Sequence, residues 1–253
     1  MAAAFGRSDD LENALFRGVN LRGARFVESD LSGAVMRGID IADADIDAPW
    51  ISEGESSLWV NGVDVAPFVE AELNRRFPGR AQRRAQDREG LLAAWAAIED
   101  TWNGTLDRVR TMPPGTVDVS VNGEWSFAQT VRHLVHATDV WLRKAVLGLE
   151  DPFHPIGQPD SSVSSTEDEA AEASNVTPSF DEVLEVRAGR VAMVRDFLDT
   201  VTPEELDAER RNPHAPEFPE TVRHCLHVIL EEEWEHHRFA VRDLELIAVP
   251  SRA

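Results

Sequence analysis

The sequence is poor in several residue types, and each shortage excludes a class of protein or of site. Among its 253 residues there is no tyrosine and one cysteine, Cys225. A single cysteine cannot form an intramolecular disulfide, so the disulfide framework of a small secreted protein is excluded and a reducing cytoplasm is expected. The lack of tyrosine removes one of the usual general acids from any catalytic site.

Positive charge and long apolar runs are also scarce. The chain has 25 Lys and Arg residues against 46 Asp and Glu residues, which gives a net charge of −21. Nucleic acids and anionic membranes are bound through a surplus of Lys and Arg, so we expect neither partner and favour a small-molecule substrate. No run approaches the length of a membrane span, and the first residues, MAAAFGRSDD, are too short and too polar for a signal peptide.

What the sequence does contain begins with a repeat of five residues. From Glu12 onward the chain reads ENALF, RGVNL, RGARF, VESDL, SGAVM, RGIDI, ADADI. A large apolar residue closes each repeat, and a mostly small residue stands two positions earlier. Neither a helix nor an ordinary strand has this period. It is typical of a square β-solenoid, whose axis is filled by the large residues Phe16, Leu21, Phe26, Leu31, Met36, Ile41 and Ile46.

Over residues 12–48 this pattern resembles the pentapeptide-repeat family, which implies a right-handed β-solenoid. At four pentapeptides per coil the stretch supplies fewer than two coils, so we expect it to depend on the following residues for stability. Next, Leu58–Val65 predicts a hairpin with an Asn-Gly turn. Ala66–Phe77 predicts a short helix, and the basic run Arg75–Arg88 predicts a linker.

Four longer helices are predicted after the linker, over about residues 87–110, 126–147, 179–201 and 219–248. Ser126 with Gln129, and Ser179 with Glu182, are capping boxes that start the second and third helices. Residues 149–178 are rich in Pro, Ser and acids, which predicts a long crossover connection. Four amphipathic helices with one long connection favour a four-helix bundle. The predicted class is therefore α+β, with a solenoid and hairpin over 1–66, a short helix and linker over 67–86, and a bundle over 87–253.

Six of the eight histidines fall on the second and fourth helices. Glu232 and His236 are four residues apart, as are Glu233 and His237, so each pair shares a face of the fourth helix. Charged residues on such a helix can also form a solvated face, and this is what we expect for Glu231 and Glu235. A carboxylate facing the apolar side, however, requires a partner or a metal. Bundles build metal sites from facing helices, and the second helix offers His133, His136; the remaining histidines of the two helices are His224, His227.

The stretches WSFAQTVRHLVHATDVWL and EEEWEHHRFAVRDL resemble the DinB-like (DinB/YfiT-like) metal-binding bundles, over about residues 87–248. The resemblance implies that His133, Glu232 and His236 are the metal ligands. The shifted register, Glu233 with His237, stays open. His136 could lie behind a ligand or belong to the core, and two loop histidines are candidates to cap the site: His154, His214.

Two imidazoles and one carboxylate leave coordination positions open, as in catalytic metal sites. This ligand set favours zinc, with nickel, iron or manganese as alternatives. The resemblance implies a transferase or isomerase that uses a low-molecular-weight thiol. The Ala- and Arg-rich composition, with Lys144 as the one lysine, resembles actinobacterial proteins and favours mycothiol over bacillithiol.

Two other functions stay open at this point: a metal-dependent hydrolase, and a non-catalytic interaction or scaffold protein that uses the repeat face. The sequence also leaves open a homodimer, because Trp95 and Trp102 of the first long helix could serve an interface or the core.

Overall fold

The computed structural model describes residues 3–6, 8–52, 54, 56–159 and 177–248. The chain forms two compact units, Met1–Ala44 and Asp45–Ala253. None of the helices in the described ranges has the length and apolar character that crossing a membrane requires.

The backbone of the first unit repeats with the five-residue period of the sequence. A positive φ, between 48° and 74°, recurs at Asn13, Gly18, Gly23, Glu28, Gly33, Gly38 and Asp43. This left-handed conformation is tolerated best by Gly, Asn and Asp, the types found at all of these positions except Glu28. At every tenth residue a side-chain oxygen accepts from the backbone N–H two residues later, at Asp10, Asn20, Asp30 and Asp40.

The β-solenoid itself stays a prediction. Within the described part of residues 8–52 the chain forms turns and bends, and the first strand begins at Trp59. The helical character of the second unit is confirmed, and the sheets among its described residues are two small hairpins.

The predicted hairpin and short helix are both present at the start of the second unit. Strands β1 (Trp59–Val60) and β2 (Val63–Asp64) pair antiparallel. Asn61 and Gly62 have φ of 51° and 81°, the double positive φ of a tight hairpin turn. Helix α1 covers Ala66–Arg76, and a 3-10 turn over Arg80–Arg84 follows in the predicted linker.

Four long helices form the bundle. They are α2 (Arg88–Arg110), α3 (Phe127–Thr138), α4 (Phe180–Thr200) and, last in the chain, the helix Val222–Ala248. Both predicted capping boxes are formed, at Ser126 and Ser179. Helices α2 and α3 each contact α4 and the last helix, which buries a common core that includes Leu91, Trp95, Ile98, Leu134, Val194, Leu198, Leu226 and Ile229.

Two features of the bundle differ from the predicted helices and loops. Helix α3 continues as a π-helix over Asp139–Val146, which changes the face on which later side chains project. Between α4 and the last helix, the predicted polar loop contains a short helix, α5 (Pro203–Leu206), and a hairpin of β3 (Glu209–Arg211) with β4 (Pro219–Thr221). The last helix is therefore α6. Most of the predicted crossover connection, residues 160–176, lies outside the described residues.

Candidate metal centre

Helices α3 and α6 bring His133, Glu232 and His236 together. One potential ligand atom from each side chain lies within 4.8 Å of the other two. His133 Nε2 is 3.2 Å from Glu232 Oε2, and His236 Nδ1 is 3.3 Å from the same oxygen. The four-residue spacing places Glu232 and His236 on one face of α6, and α3 presents His133 across from them.

Both imidazole rings are held in position by hydrogen bonds and ring contacts. His133 Nδ1 lies 3.0 Å from the Gln158 carbonyl oxygen, so it carries the proton and Nε2 faces Glu232. His236 Nδ1 donates to the Glu232 carbonyl oxygen at 2.9 Å. The two rings stack at 4.5 Å between centroids, and the Trp125 ring lies 4.8 Å from His133 and 6.1 Å from His236. Outer partners of this kind fix ligating imidazoles in metal sites.

Glu232 is the charged member of the trio. Burial alone would raise its pKa, but the hydrogen bond with His133 and the charges of His236 and His133 outweigh burial and lower the pKa to about 2. The carboxylate is thus ionised at neutral pH. Its side chain is 17% exposed and that of His236 is 14% exposed, so both remain in contact with solvent.

The trio fits a divalent cation by its chemistry. Imidazole nitrogens and an ionised carboxylate oxygen are the donors that zinc and related metals use. Within the described ranges, neither Arg nor Lys forms an ion pair with Glu232, so its charge is balanced by no permanent cation.

The shifted pair, Glu233 and His237, faces the sealed core. Both carboxylate oxygens of Glu233 lie 2.5 Å from Arg187 Nη2. His237 Nε2 lies 2.8 Å from the hydroxyl oxygen of Thr105, and its ring contacts Trp102 edge-on at 5.0 Å. Burial raises the pKa of Glu233 despite Arg187, and burial lowers the pKa of His237 to about 4. This pair is therefore held in the core by Arg187, Thr105 and Trp102.

Two family models match separate parts of the chain. Residues 97–240, more than half of the chain, match the family model of the DinB superfamily. The chain belongs to the DinB superfamily. Residues 10–46 match pentapeptide repeats in eight copies, so both resemblances predicted from the sequence are confirmed. No curated protein and no solved structure matched the chain.

The prediction that Glu231 and Glu235 are solvated is wrong. Their residues are 4% and 2% exposed. Arg83 Nε donates to Glu231 at 2.8 Å, and Arg80 Nη2 donates to Glu235 at 3.0 Å. Both arginines also bind Glu70 of α1, so the predicted linker packs onto the DinB domain through buried ion pairs.

A glycine allows this close approach. Gly79 has a φ of 97°, and a side-chain carbon there would lie 2.7 Å from the Ala97 side chain and 3.4 Å from Trp234. The turn that carries Arg80 and Arg83 can therefore lie directly on α2 and α6. The sequence shows Pro78-Gly79 as a helix stop, but it does not show what the turn packs against.

The remaining histidines of the DinB domain lie outside the trio. The His136 ring stacks on Phe153 at 5.4 Å and lies 6.3 Å from the His133 ring, and its pKa is lowered to about 4, mainly by burial. The backbone N–H of His154 donates to Asp139 at 2.8 Å, and His214 packs against Trp141 at 5.5 Å.

Three further residues of α6 lack a role at the trio. His224 lies 3.6 Å from Glu220, and His227 bonds the Ala85 carbonyl oxygen at 2.8 Å. Cys225 is fully buried, and burial raises the pKa of its thiol to about 12, so it is neither a ready nucleophile nor a ready ligand.

Proposed function

We propose that the DinB domain binds a divalent metal through His133, Glu232 and His236, with zinc as the first candidate and nickel, iron or manganese as alternatives. The observation that carries this proposal is the charge of Glu232. Its neighbours on α6, Glu231, Glu233 and Glu235, each form an ion pair with a buried arginine. Within the described ranges, the carboxylate of Glu232 faces two imidazoles instead.

A carboxylate in this setting favours a cation. Removing an ionised group from water is costly unless a partner offsets its charge. A neutral imidazole can donate a hydrogen bond but brings no charge. With Nδ1 held by the Gln158 carbonyl oxygen, His133 turns Nε2 toward Glu232, so this contact is favourable when a proton or a metal ion lies between the nitrogen and the carboxylate oxygen. A metal in that position would be coordinated by both atoms.

We further propose that the chain is an enzyme of the thiol-dependent kind that the DinB-like resemblance implies, an S-transferase or isomerase using mycothiol or bacillithiol. A divalent metal, when bound, lowers the pKa of a coordinated thiol or water. Three protein ligands leave positions for such a molecule. The partly exposed side of Glu232 and His236 gives it access, while the Trp125 ring packs beside both imidazoles.

The metal proposal is tested by measuring metal content. Purified full-length protein is incubated with zinc, nickel, iron(II) or manganese, passed over a desalting column and analysed by mass spectrometry of the elements. We expect about one equivalent of metal in the parent and its loss in His133→Ala, Glu232→Gln and His236→Ala. His224→Ala, on the exposed part of α6, is the matched control and should keep the metal. Parent protein that holds no metal, or equal content in all variants, would overturn the proposal.

The thiol proposal requires an activity measurement. Consumption of mycothiol or bacillithiol is followed in the presence of small electrophiles, with metal-loaded and chelator-treated protein. We expect consumption with the loaded parent and with His224→Ala, but not with His133→Ala. A metal-loaded parent that hydrolyses esters or amides and leaves both thiols intact would identify a hydrolase and contradict the thiol-dependent reaction.

A further inference from the structure

Two pairs of basic residues meet where strand β3 packs on the π-helix. The π-helix carries Arg143 and Lys144, and strand β3 carries Arg210 and Arg211. The strand packs on the π-helix, because Arg210 Nε donates to the Val146 carbonyl oxygen at 3.2 Å. A cluster of four cations is unexpected in a chain with 46 acidic and 25 basic residues.

One residue of each pair has a structural partner. Arg143 lies 3.4 Å from Asp139 and donates to the Asp151 carbonyl oxygen at 2.8 Å. Arg210 bonds Val146 as above and lies 4.0 Å from Glu205. These contacts fix the positions of the π-helix, the loop after it and strand β3 relative to one another.

The other two residues, Lys144 and Arg211, line a cavity of about 320 Å³. Its other lining residues are Ala145, Asn212, Pro213 and Pro216, none of them acidic. Within the described ranges neither cation forms an ion pair, and the Lys144 ammonium lies 5.5 Å from the centre of the Phe153 ring. The volume is at the lower end of the range for small-molecule sites, about 300–1,000 Å³.

The wall of this cavity is held in place before any ligand binds. Asn212 Oδ1 accepts from the backbone N–H groups of His214 and Ala215, both at 2.9 Å, and its Nδ2 donates to Glu220 at 3.2 Å. Two prolines restrict the same loop. A wall of this kind loses little conformational freedom on binding, which favours affinity.

The loop that lines the cavity packs on the π-helix through His214. This histidine follows the lining residue Pro213, and its ring contacts Trp141 of the π-helix at 5.5 Å. The π-helix continues helix α3, which carries His133 of the trio.

We propose that this cavity binds the anionic group, a carboxylate or a phosphate, of a small molecule through Lys144 and Arg211. An arginine fork and a lysine ammonium together suit oxyanions, since the guanidinium supplies directed N–H donors and the ammonium a point charge. The cavity requires no metal, so this inference goes beyond the proposed function.

The test is a calorimetric titration of full-length protein with succinate and with inorganic phosphate. We expect saturable binding of at least one probe, and the tighter one identifies the class of anion. Lys144→Gln and Arg211→Gln should each weaken it about tenfold, since each removes a charged hydrogen bond. Arg108→Gln on α2 removes the same charge away from the lining residues and should bind as the parent does. Failure of the parent to bind either probe, or unchanged affinity in both cavity variants, would overturn the inference.

Two cross-measurements separate this inference from the metal proposal. His133→Ala should lose metal but keep its affinity for the anion, and Lys144→Gln should keep its metal. If His133→Ala loses the anion as well, the probe binds at the trio and the cavity assignment is wrong. Circular dichroism of each variant checks that the helices remain folded.

Discussion

Helix α6 carries the same pair twice, one residue apart, and the two copies have different surroundings. Glu232 and His236 face His133 of α3, whereas Glu233 and His237 face Arg187 of α4 and Thr105 of α2. The Glu233 side chain is 1% exposed and that of Glu232 is 17% exposed.

The difference lies in what the neighbouring helices present. Arg187 offsets the charge of Glu233, and the Thr105 hydroxyl satisfies one nitrogen of His237, so the second pair forms a closed polar contact in the core. His133 provides a ring nitrogen for Glu232 but no permanent charge. The chemistry of a Glu and a His four residues apart thus depends on the side chains that face them from the other helices.

The largest expected effect comes from removing the cation of the closed pair. Arg187→Met leaves Glu233 buried and unpaired, which should lower the free energy of unfolding by about 3–5 kcal/mol. Urea unfolding followed by circular dichroism measures the loss. The double variant Arg187→Met, Glu233→Leu removes both charges and should recover most of it. A single variant within about 1 kcal/mol of the parent would contradict the closed, ion-paired description.

The second effect is a pH dependence of the free energy of unfolding that is caused by His237. Burial lowers its pKa to about 4 from an ordinary 6.5. The unfolded chain therefore binds this proton first as pH falls, so stability decreases between about pH 6.5 and pH 4 and levels off below. This shift in the pKa of His237 corresponds to a contribution of about 3 kcal/mol to the free energy of unfolding.

The matched comparison for this pH effect is His237→Gln. Its unfolding free energy, measured by urea titration at several pH values, should fall less steeply over the same interval, because the glutamine does not titrate. Equal slopes in parent and variant would show that His237 is protonated in the folded state.

The third effect separates the two pairs directly. Zinc at 100 times its dissociation constant should raise the free energy of unfolding by about 2.7 kcal/mol if it binds the native state alone. This increment should vanish in His236→Gln and persist in His237→Gln, one residue away. Urea unfolding with zinc and with chelator gives the increment for each protein. If the increment persists in His236→Gln and is lost in His237→Gln, the register proposed for the site is wrong.

The smallest effect tests the hydroxyl that satisfies His237. Thr105→Val keeps the shape of the side chain but removes its hydrogen bond with His237. This should lower the free energy of unfolding by about 1–2 kcal/mol and leave the metal content unchanged. Thr101→Val is the control, since that hydroxyl donates within its own helix to the Ala97 carbonyl oxygen at 2.7 Å. Equal losses of unfolding free energy in both variants would show that the hydrogen bond between Thr105 and His237 adds no stability.

The parts of the molecule that the sequence predicts are those fixed by local signals. Helix starts are set by capping residues such as Ser126 and Ser179, whose partners lie three residues ahead. The spacing of four and the six histidines on two helices indicate a metal site on α3 and α6, and the DinB-like resemblance implies which residues form it: His133, Glu232 and His236. Whether the trio binds metal stays a prediction.

The parts that the sequence leaves open or does not show depend on distant residues. The two possible registers have similar apolar flanks along α6, and the choice rests on Arg187, Thr105 and His133 from other helices. Strand β3 is three residues long and polar, so no alternation marks it. In the repeats, the sequence pattern predicts the apolar columns, but it does not predict that the column from Asn13 to Asp43 adopts positive φ.

The buried arginines of the 3-10 turn have a practical consequence for recombinant work. Residues 97–240 mark the matched DinB region, but Arg80, Arg83 and Glu70 lie before it. A fragment trimmed to those limits would lose Arg83, which binds Glu231, and Arg80, one of the two arginines that bind Glu235. Glu235 would keep Arg238, but the buried carboxylate of Glu231 would lose Arg83 on the same helix that carries Glu232 and His236. A fragment intended to retain the centre should therefore begin before helix α1.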